Sequence, residues 1–470
     1  MGLTNALNAA RSGLTMASRW AATTSMNISN SGTEGYARRS PVVAVAGRGE
    51  PVVTGISRAV DASLDRMYRL ESARTETQVA LADDMVVYTA VLGQPESGDS
   101  LLSRFTDFRN ALGLLSVSPS DIALQRAAVT EAEELSGTVN RTHDALTRAT
   151  STATEAVKQD VAEANRLVSR IALLNERLAS APEQTDMTLS MEDQRTRALD
   201  DLAQLMDFTV TLGKRGEVEI FASGGAPVLD GDTPEVLRHD TATGRLFAGD
   251  HEITPGITGV RGISEGSIAG HIAFLNDSVP LFQKQLDEVA RSLIDAFQTT
   301  DPTLGATDAG LFTDAGVRMT GPYAEGLAGR LSVNDAVRPE AGGALWRIRD
   351  GMEAATAGAA GDSTLINGFT KVLDDATGFD GTAGLGATAT LSGYMSTLIA
   401  SQQGARAQAE TDRDTASAGA EAVQSRRQAF MGVNIDDEMQ QMLQIEQTYA
   451  ANARVMQTAN EMLDTLLRAF

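Results

Sequence analysis

The sequence predicts a mainly α-helical, elongated, multidomain protein with a β-containing middle, its N- and C-terminal helices paired in a coiled-coil-like end domain. Three observations carry that expectation. Apolar residues recur every seven positions at both chain ends, long breaker-poor stretches fill residues 58–206, and apolar residues begin to alternate with threonines only at Phe208.

At the N-terminus Leu7, Leu14, Ala21 and Ile28 share one heptad position, and Leu3, Ala10, Ala17 and Thr24 share the complementary one. At the other end Ile435, Met442, Tyr449, Met456, Leu463 and Phe470 recur at the same interval. Ile445, Ala459 and Leu466 follow the second, fourth and fifth of these by three residues. Asn434 is a good N-cap, and Asp436, Asp437 and Glu438 place carboxylates where they complement the helix dipole. A helix over 435–469 would be about 50 Å long.

Between the ends, helical segments are expected at 60–92, 99–115, 119–180 (with a candidate break near Ala149 to Thr152) and 191–206. Gln94 to Gly98 and Ala181 to Thr188 make the loops. Phe208, Val210 and Leu212, a Gly213 to Gly216 turn, then Val218 and Ile220 read as a β-hairpin. Short strands should continue to about 265. A helix follows from Ser267 to Gln298, interrupted near Pro280. Residues 301–386 show weak periodicity and read as irregular, with short helices near 345–356 and 363–374. Helical pattern returns at Leu391 and runs to about Ala429. The expected domains are 1–40 with 433–470 as the terminal helical unit; 41–206, 267–300 and 387–432 as a long-helix domain; 207–266 as a β-hairpin-rich module; and 301–386 as a reduced outer segment.

Composition narrows the functional classes. A chain of 470 residues exceeds what one core serves, which favours two to four domains. Its net charge of -23 opposes binding to nucleic-acid phosphates and anionic membranes. There are no cysteines, hence no disulfides and no thiolate chemistry. No apolar run is long enough to span a membrane, and Met1 to Trp20 lacks the apolar core and cleavage site of a secretory signal. His143, His239, His251 and His271 are scattered outside metal-ligand spacings, no phosphate-binding glycine loop occurs, and Asp230-Gly231-Asp232 and Asp301 to Asp308 read as turns. No cofactor, metal or catalytic residue is nominated.

The terminal motifs add a specific resemblance. Ala9-Ala10-Arg11-Ser12-Gly13-Leu14, Ser25-Met26-Asn27-Ile28-Ser29-Asn30 and Thr33-Glu34-Gly35-Tyr36-Ala37-Arg38 are similar to the signature of the flagellar rod and hook axial protein family, usually N-N-I-A-N followed by T-P-G-Y-S-R. Met26, Ser29 and Glu34 depart from it. Gly432 to Met439, Tyr449 to Val455 and Glu461 to Leu467 resemble the family's C-terminal motif. Internally, Ala172 to Leu178, Glu192 to Arg195, Gly266 to Gly270 and Leu286 to Phe297 resemble the family's hook-associated members.

That resemblance implies a structural subunit joining hook to filament as an axial adaptor, self-associating in a ring or helical layer. Hook protein, a second junction protein and an export chaperone on the C-terminal helix would be its partners. It also implies an extracellular site reached through the flagellar type III apparatus without a cleaved signal peptide. A hook or distal-rod subunit is the alternative within the class, and an exported peptidoglycan hydrolase the alternative outside it.

The candidate assembly residues are Leu7, Leu14, Asn27, Ile28, Asn30, Gly35, Tyr36, Ile435, Met442, Tyr449, Met456, Leu463, Leu466 and Phe470. Their seams would bury either within one chain or against neighbouring subunits. Asn27 and Asn30 suit a helix-ending turn or an intersubunit contact. Gly35 suits a turn, Tyr36 an amphipathic anchor, and Arg38 with Arg39 either acidic neighbours or a solvated face.

Overall fold

The computed structural model describes residues 2–469 apart from 34, 46–50, 95–96, 182–184, 214–215 and 322–323. Phe470, Pro95, Glu96, Lys214 and Arg215 therefore lie outside the described residues. The chain opens with α1 (Gly2–Ser29), and β1 (Arg39–Val45) and β2 (Pro51–Arg58) follow as an antiparallel hairpin with a register shift at Val42/Val43. This hairpin lies inside the expected long-helix domain over 41–206 but ahead of the helices, which were expected from 60. Its β-branched content favours strands, yet Val42, Val43, Val45 and Val52 all stand open to solvent. With no buried face there is no alternation to read.

Helices α2 (Ala62–Leu92), α3 (Leu101–Val117), α4 (Ile122–Ser180) and α5 (Asp186–Leu205) come next. Asp61, Ser100 and Asp121 cap the first three by accepting backbone N–H bonds from their first turns. The candidate break in α4 does not occur. Thr150, Ser151 and Thr154 donate their hydroxyls to carbonyls four residues back while Ala149 and Ala153 are buried, so packing holds a polar run helical. α5 starts within the expected 181–188 loop, because Thr185 and Thr188 form a reciprocal capping box.

The middle holds two antiparallel sheets. β3 (Phe208–Leu212), β4 (Val218–Ala222), β5 (Pro227–Asp230) and β6 (Thr233–Pro234) form one, and β7 (Leu237–Asp240), β8 (Arg245–Ala248) and β9 (His251–Glu252) the other. Asn175 of α4 ties down the first, its amide donating to the carbonyls of Val218 and Gly231 and accepting from the Val218 N–H, and Asn165 ties down the second through the Leu237 carbonyl and N–H. α6 (Ser267–Ala273) runs through a π turn (Phe274–Ser278) into α7 (Val279–Thr300). The expected interruption near Pro280 is this widened turn, which sits just before the residue lacking an N–H.

Residues 301–386 carry β10 (Phe312–Asp314), β11 (Leu331–Val333), α8 (Arg347–Asp350), α9 (Thr364–Asp374) and β12 (Thr377–Gly378), which pairs with β13 (Thr388–Ala389) just beyond. They are not merely an outer segment. Leu311, Phe312, Leu327, Val337, Ile348, Ile366 and Phe369 are fully buried in the same core as α3 and α7. β10, β11 and α8 contribute only one or two core residues each and α9 three, which is why the periodicity is weak. The chain closes with α10 (Leu391–Met431) and α11 (Ile435–Ala469).

Two cores result. One joins α2, α3, the first half of α4, α7 and α10 around Phe108, Phe297, Phe312 and Phe369. The other joins the second half of α4 to α5, α6 and the sheets. Among the described residues, neither draws a buried residue from α1 or α11.

Candidate assembly interface

α1 and α11 lie antiparallel and make their principal packing with each other. Gly13 faces Asn452 so closely that a Cβ there would meet the Asn452 amide at 2.6 Å. Met16, Ala17 and Trp20 face Gln441, Gln444, Ile445 and Thr448. The buried positions of α1 are Ala10, Gly13, Ala17, Thr23, Thr24 and Asn27, and those of α11 are Glu438, Ile445 and Ala459, with Asn452 half-buried. Both ends of the chain thus meet in one slender unit.

The structure shifts the seam from where the large side chains had placed it. Ala10, Ala17 and Thr24 occupy the interface as expected, but Gly13, Trp20 and Asn27 replace Leu7, Leu14, Ala21 and Ile28, which are half-buried beside it. On α11, Met442 and Met456 are half-buried, whereas Ile435, Tyr449, Leu463 and Leu466 are exposed by 46%, 50%, 37% and 50%. Two helices in close approach select the smallest residues at the contact. Large apolar residues are left flanking it, on surface that this chain does not cover. Met439, Leu443, Val455, Met462 and Leu467 add to that surface.

Where α1 ends, the candidate residues converge. The buried Asn27 amide donates to the Arg39 carbonyl at 2.9 Å, and its oxygen accepts from the Arg39 N–H at 3.0 Å and the Tyr36 hydroxyl at 2.9 Å. Asn30 caps locally, donating to the Met26 carbonyl. Gly35 has φ of 71°, and a Cβ there would strike the Arg197 stem. The Arg39 guanidinium lies 5.0 Å from the Tyr36 ring centroid. Burial pushes the Tyr36 hydroxyl above its ordinary pKa, partly opposed by the charge of Arg39.

Arg39 is no solvated face. It is buried, as is Asp193 of α5, and the two meet at 2.9 Å; Arg58 of β2 reaches the same carboxylate at 2.6 Å and Glu192 at 3.2 Å. Seven residues further along α5, Asp200 pairs with Arg69 of α2 and Arg427 of α10, and Arg427 also holds Asp65. The Arg38 N–H donates to the Met431 carbonyl. α5 is thus the post to which the hairpin, α2 and the end of α10 are tied. Sequence reasoning left Arg39 between acidic neighbours and a solvated face and missed Arg58 and Arg427, although the Glu192-Asp193 pair within the quoted motif was a signal of where partners lay.

A cleft of about 630 Å³ opens between the 30–36 turn and residues 424–434, lined by Asn30, Gly35, Tyr36, Arg427 and Asn434 among others. Glu438, nominated only for the helix dipole, is 2% exposed. Among the described residues no His, Asp and Glu cluster is arranged to hold a metal ion, and no helix is long and apolar enough to cross a membrane.

Chain ends paired at one tip, with large apolar side chains left uncovered there, define a structural assembly subunit. Residues 90–304 match the model of the flagellar hook-associated protein FlgK helical domain, and residues 426–469 match that of the flagellar basal body rod FlgEFG protein C-terminal region. Flagellar hook-associated protein 1 of Bacillus subtilis (strain 168) is 25% identical over 512 residues, covering 98% of this chain and 97% of the relative. That of Escherichia coli (strain K12) is 23% identical, covering 99% and 100%. The solved flagellar hook junction protein FlgK from Burkholderia pseudomallei aligns with a TM-score of 0.44 and 19% identity over 53% of this chain and 46% of that one. Flagellar hook-associated protein 1 relatives thus match this chain over nearly its whole length, and the chain is a structural component of the bacterial flagellum.

Proposed function

We propose that this chain forms the axial adaptor layer that lets the hook lattice continue into the filament. The observation that carries this reading is the uncovered apolar surface of α11: a helix pair contributing nothing to either core is expected to complete its burial against neighbouring subunits. In this reading copies of the chain self-associate in a ring or helical layer, with hook protein below and a second junction protein above. The same stripe on α11, from Ile435 to Leu466, would be shielded before assembly by a cytoplasmic chaperone. Export would proceed through the flagellar type III apparatus without a cleaved signal peptide, and the chain would have no catalytic role.

Electron microscopy of cells lacking this chain tests the proposal. Hooks without filaments, with flagellin shed into the medium, are expected. Missing hooks would point to a hook or rod subunit, and normal filaments would overturn the structural role.

A further inference from the structure

The second core stops short of the edge of its first sheet. β3 is the edge strand, and Phe208, Val210 and Leu212 lie directly opposite Ala222, Ile220 and Val218 of β4. Residues opposite each other in an antiparallel pair share a face, so these three β3 side chains lie on the face that β4 turns to the core. There Val218, Ile220 and Ala222 are buried, whereas Phe208 is half-buried and Val210 and Leu212 are exposed by 36% and 74%. The core face of the sheet thus runs out of cover at its last strand.

That uncovered stretch borders a cavity of about 500 Å³. Ala203 of α5 and one face of α2, carrying Ala62, Arg66 and Leu70 a helical turn apart, complete the lining. Its volume and its largely apolar walls with a few polar groups are those of a small-molecule site. Four charged side chains reach it. Asp65 pairs with Arg427 at 2.7 Å, Arg69 pairs with Asp200 at 2.8 Å, and the buried Asp207 accepts the Ser264 N–H at 2.8 Å. Arg66 is exposed and has no hydrogen-bond or ion-pair partner among the described residues. The one uncommitted charge of the cavity is therefore a guanidinium.

We propose that this cavity binds a medium-chain fatty acid, its hydrocarbon chain along Leu70, Phe208, Val210 and Leu212 and its carboxylate on Arg66. The hydrocarbon extends the second core across the exposed end of β3 and removes that apolar surface from water. The planar fork of the guanidinium matches a carboxylate and fixes the polar end. No lining residue comes from α1 or α11, so the site is separate from the assembly surface.

Calorimetric titration of the full-length protein with sodium decanoate tests the assignment. Saturable binding of one decanoate per chain is expected, with decyltrimethylammonium, of equal chain length and opposite charge, binding at least about tenfold more weakly. Arg66→Gln should weaken decanoate binding about tenfold. Val210→Trp fills the cavity from a position open to solvent and should abolish binding with the melting temperature held. No saturable binding, equal binding of the two surfactants, or full affinity in Arg66→Gln would each overturn the proposal.

A second measurement locates the ligand. The chain has no native cysteine, so Val210→Cys and, on α3 in the other core, the exposed Leu114→Cys can each be labelled alone. Decanoate should slow the reaction of a thiol reagent with Val210→Cys and leave Leu114→Cys unchanged. Equal slowing at both positions would mean a nonspecific coat and overturn the site. Protection of Val210→Cys in assembled flagella but not by decanoate would assign the cavity to a neighbouring chain and overturn it as well.

Discussion

Asn27 and Arg39 are joined by both halves of one amide: Asn27 donates to the Arg39 carbonyl and accepts from the Arg39 N–H, as a neighbouring strand would. A single side chain thus satisfies the backbone at the start of β1 and fixes the angle at which the hairpin leaves α1. Asn27→Ala leaves a buried donor and acceptor without partners, at about 1–3 kcal/mol for each group. Faster amide exchange at Arg39 and lower incorporation are expected. Asn27→Asp, which accepts but cannot donate, should recover only part of the protection.

Gly35→Val meets two obstacles at once, a φ of 71° and the Arg197 stem 2.5 Å from the added Cβ. A local cost of about 1–3 kcal/mol is expected. Secretion should persist while incorporation falls, which immunoblots of culture medium and purified flagella measure. Wild-type incorporation would remove this turn from the assembly account.

Arg427→Met leaves Asp65 and Asp200 without their shared cation where α2, α5 and α10 meet. Breaking a buried pair in this way costs about 3–5 kcal/mol. Calorimetry should show a clear fall in melting temperature. Arg413→Met, which removes an exposed pair with Asp414, should leave the melting temperature essentially unchanged.

Deleting Gly432 to Phe470 removes α11 and leaves both cores complete among the described residues. A soluble protein whose main melting transition barely moves is expected, together with loss of chaperone binding and of filaments in complemented cells. Collapse of the main transition would show that α11 supports the cores, and restored filaments would remove it from assembly.

His271 of α6 gives a pH-dependent link. Burial disfavours its charge, but the Asp84 carboxylate of α2 at 2.7 Å, with Asp160 of α4 and Asp83 nearby, outweighs burial and raises its pKa above the ordinary 6.5. A raised histidine pKa gives stability that is fully present below the unfolded value and lost as pH rises through the folded one. The melting temperature should therefore fall on going from pH 6 to pH 9. His271→Leu should flatten that slope.

The long helices, the first β-hairpin of the middle and the pairing of the two ends were legible because caps, breakers and heptads are local signals. Asp61, Ser100 and Asp121, which the sequence reading did not single out, cap three of those helices. The β1–β2 hairpin was not legible, since neither face is buried enough to impose alternation. The heptads marked the right helices, but within one copy Leu7 and Leu14 are half-buried beside the contact and Tyr449 is exposed, whereas Gly13 and Asn452, too small or too polar to register as a seam, make the contact. The ties to Asp193 and Asp200 were illegible for a different reason, since their partners lie far away in the chain and no local pattern connects them.

α4 runs unbroken for 59 residues, about 88 Å, with Ala128 to Ala153 in one core and Val157 to Ala172 in the other. Both cores are therefore keyed to the same shaft, and its pitch sets the angle between them. Inserting one residue between Ala153 and Val157 would turn one core by about 100° about the shaft and displace it by about 1.5 Å. Torque applied to one core passes to the other through helix hydrogen bonds rather than through a loop. A part placed between two rotating lattices gains torsional stiffness from that continuity.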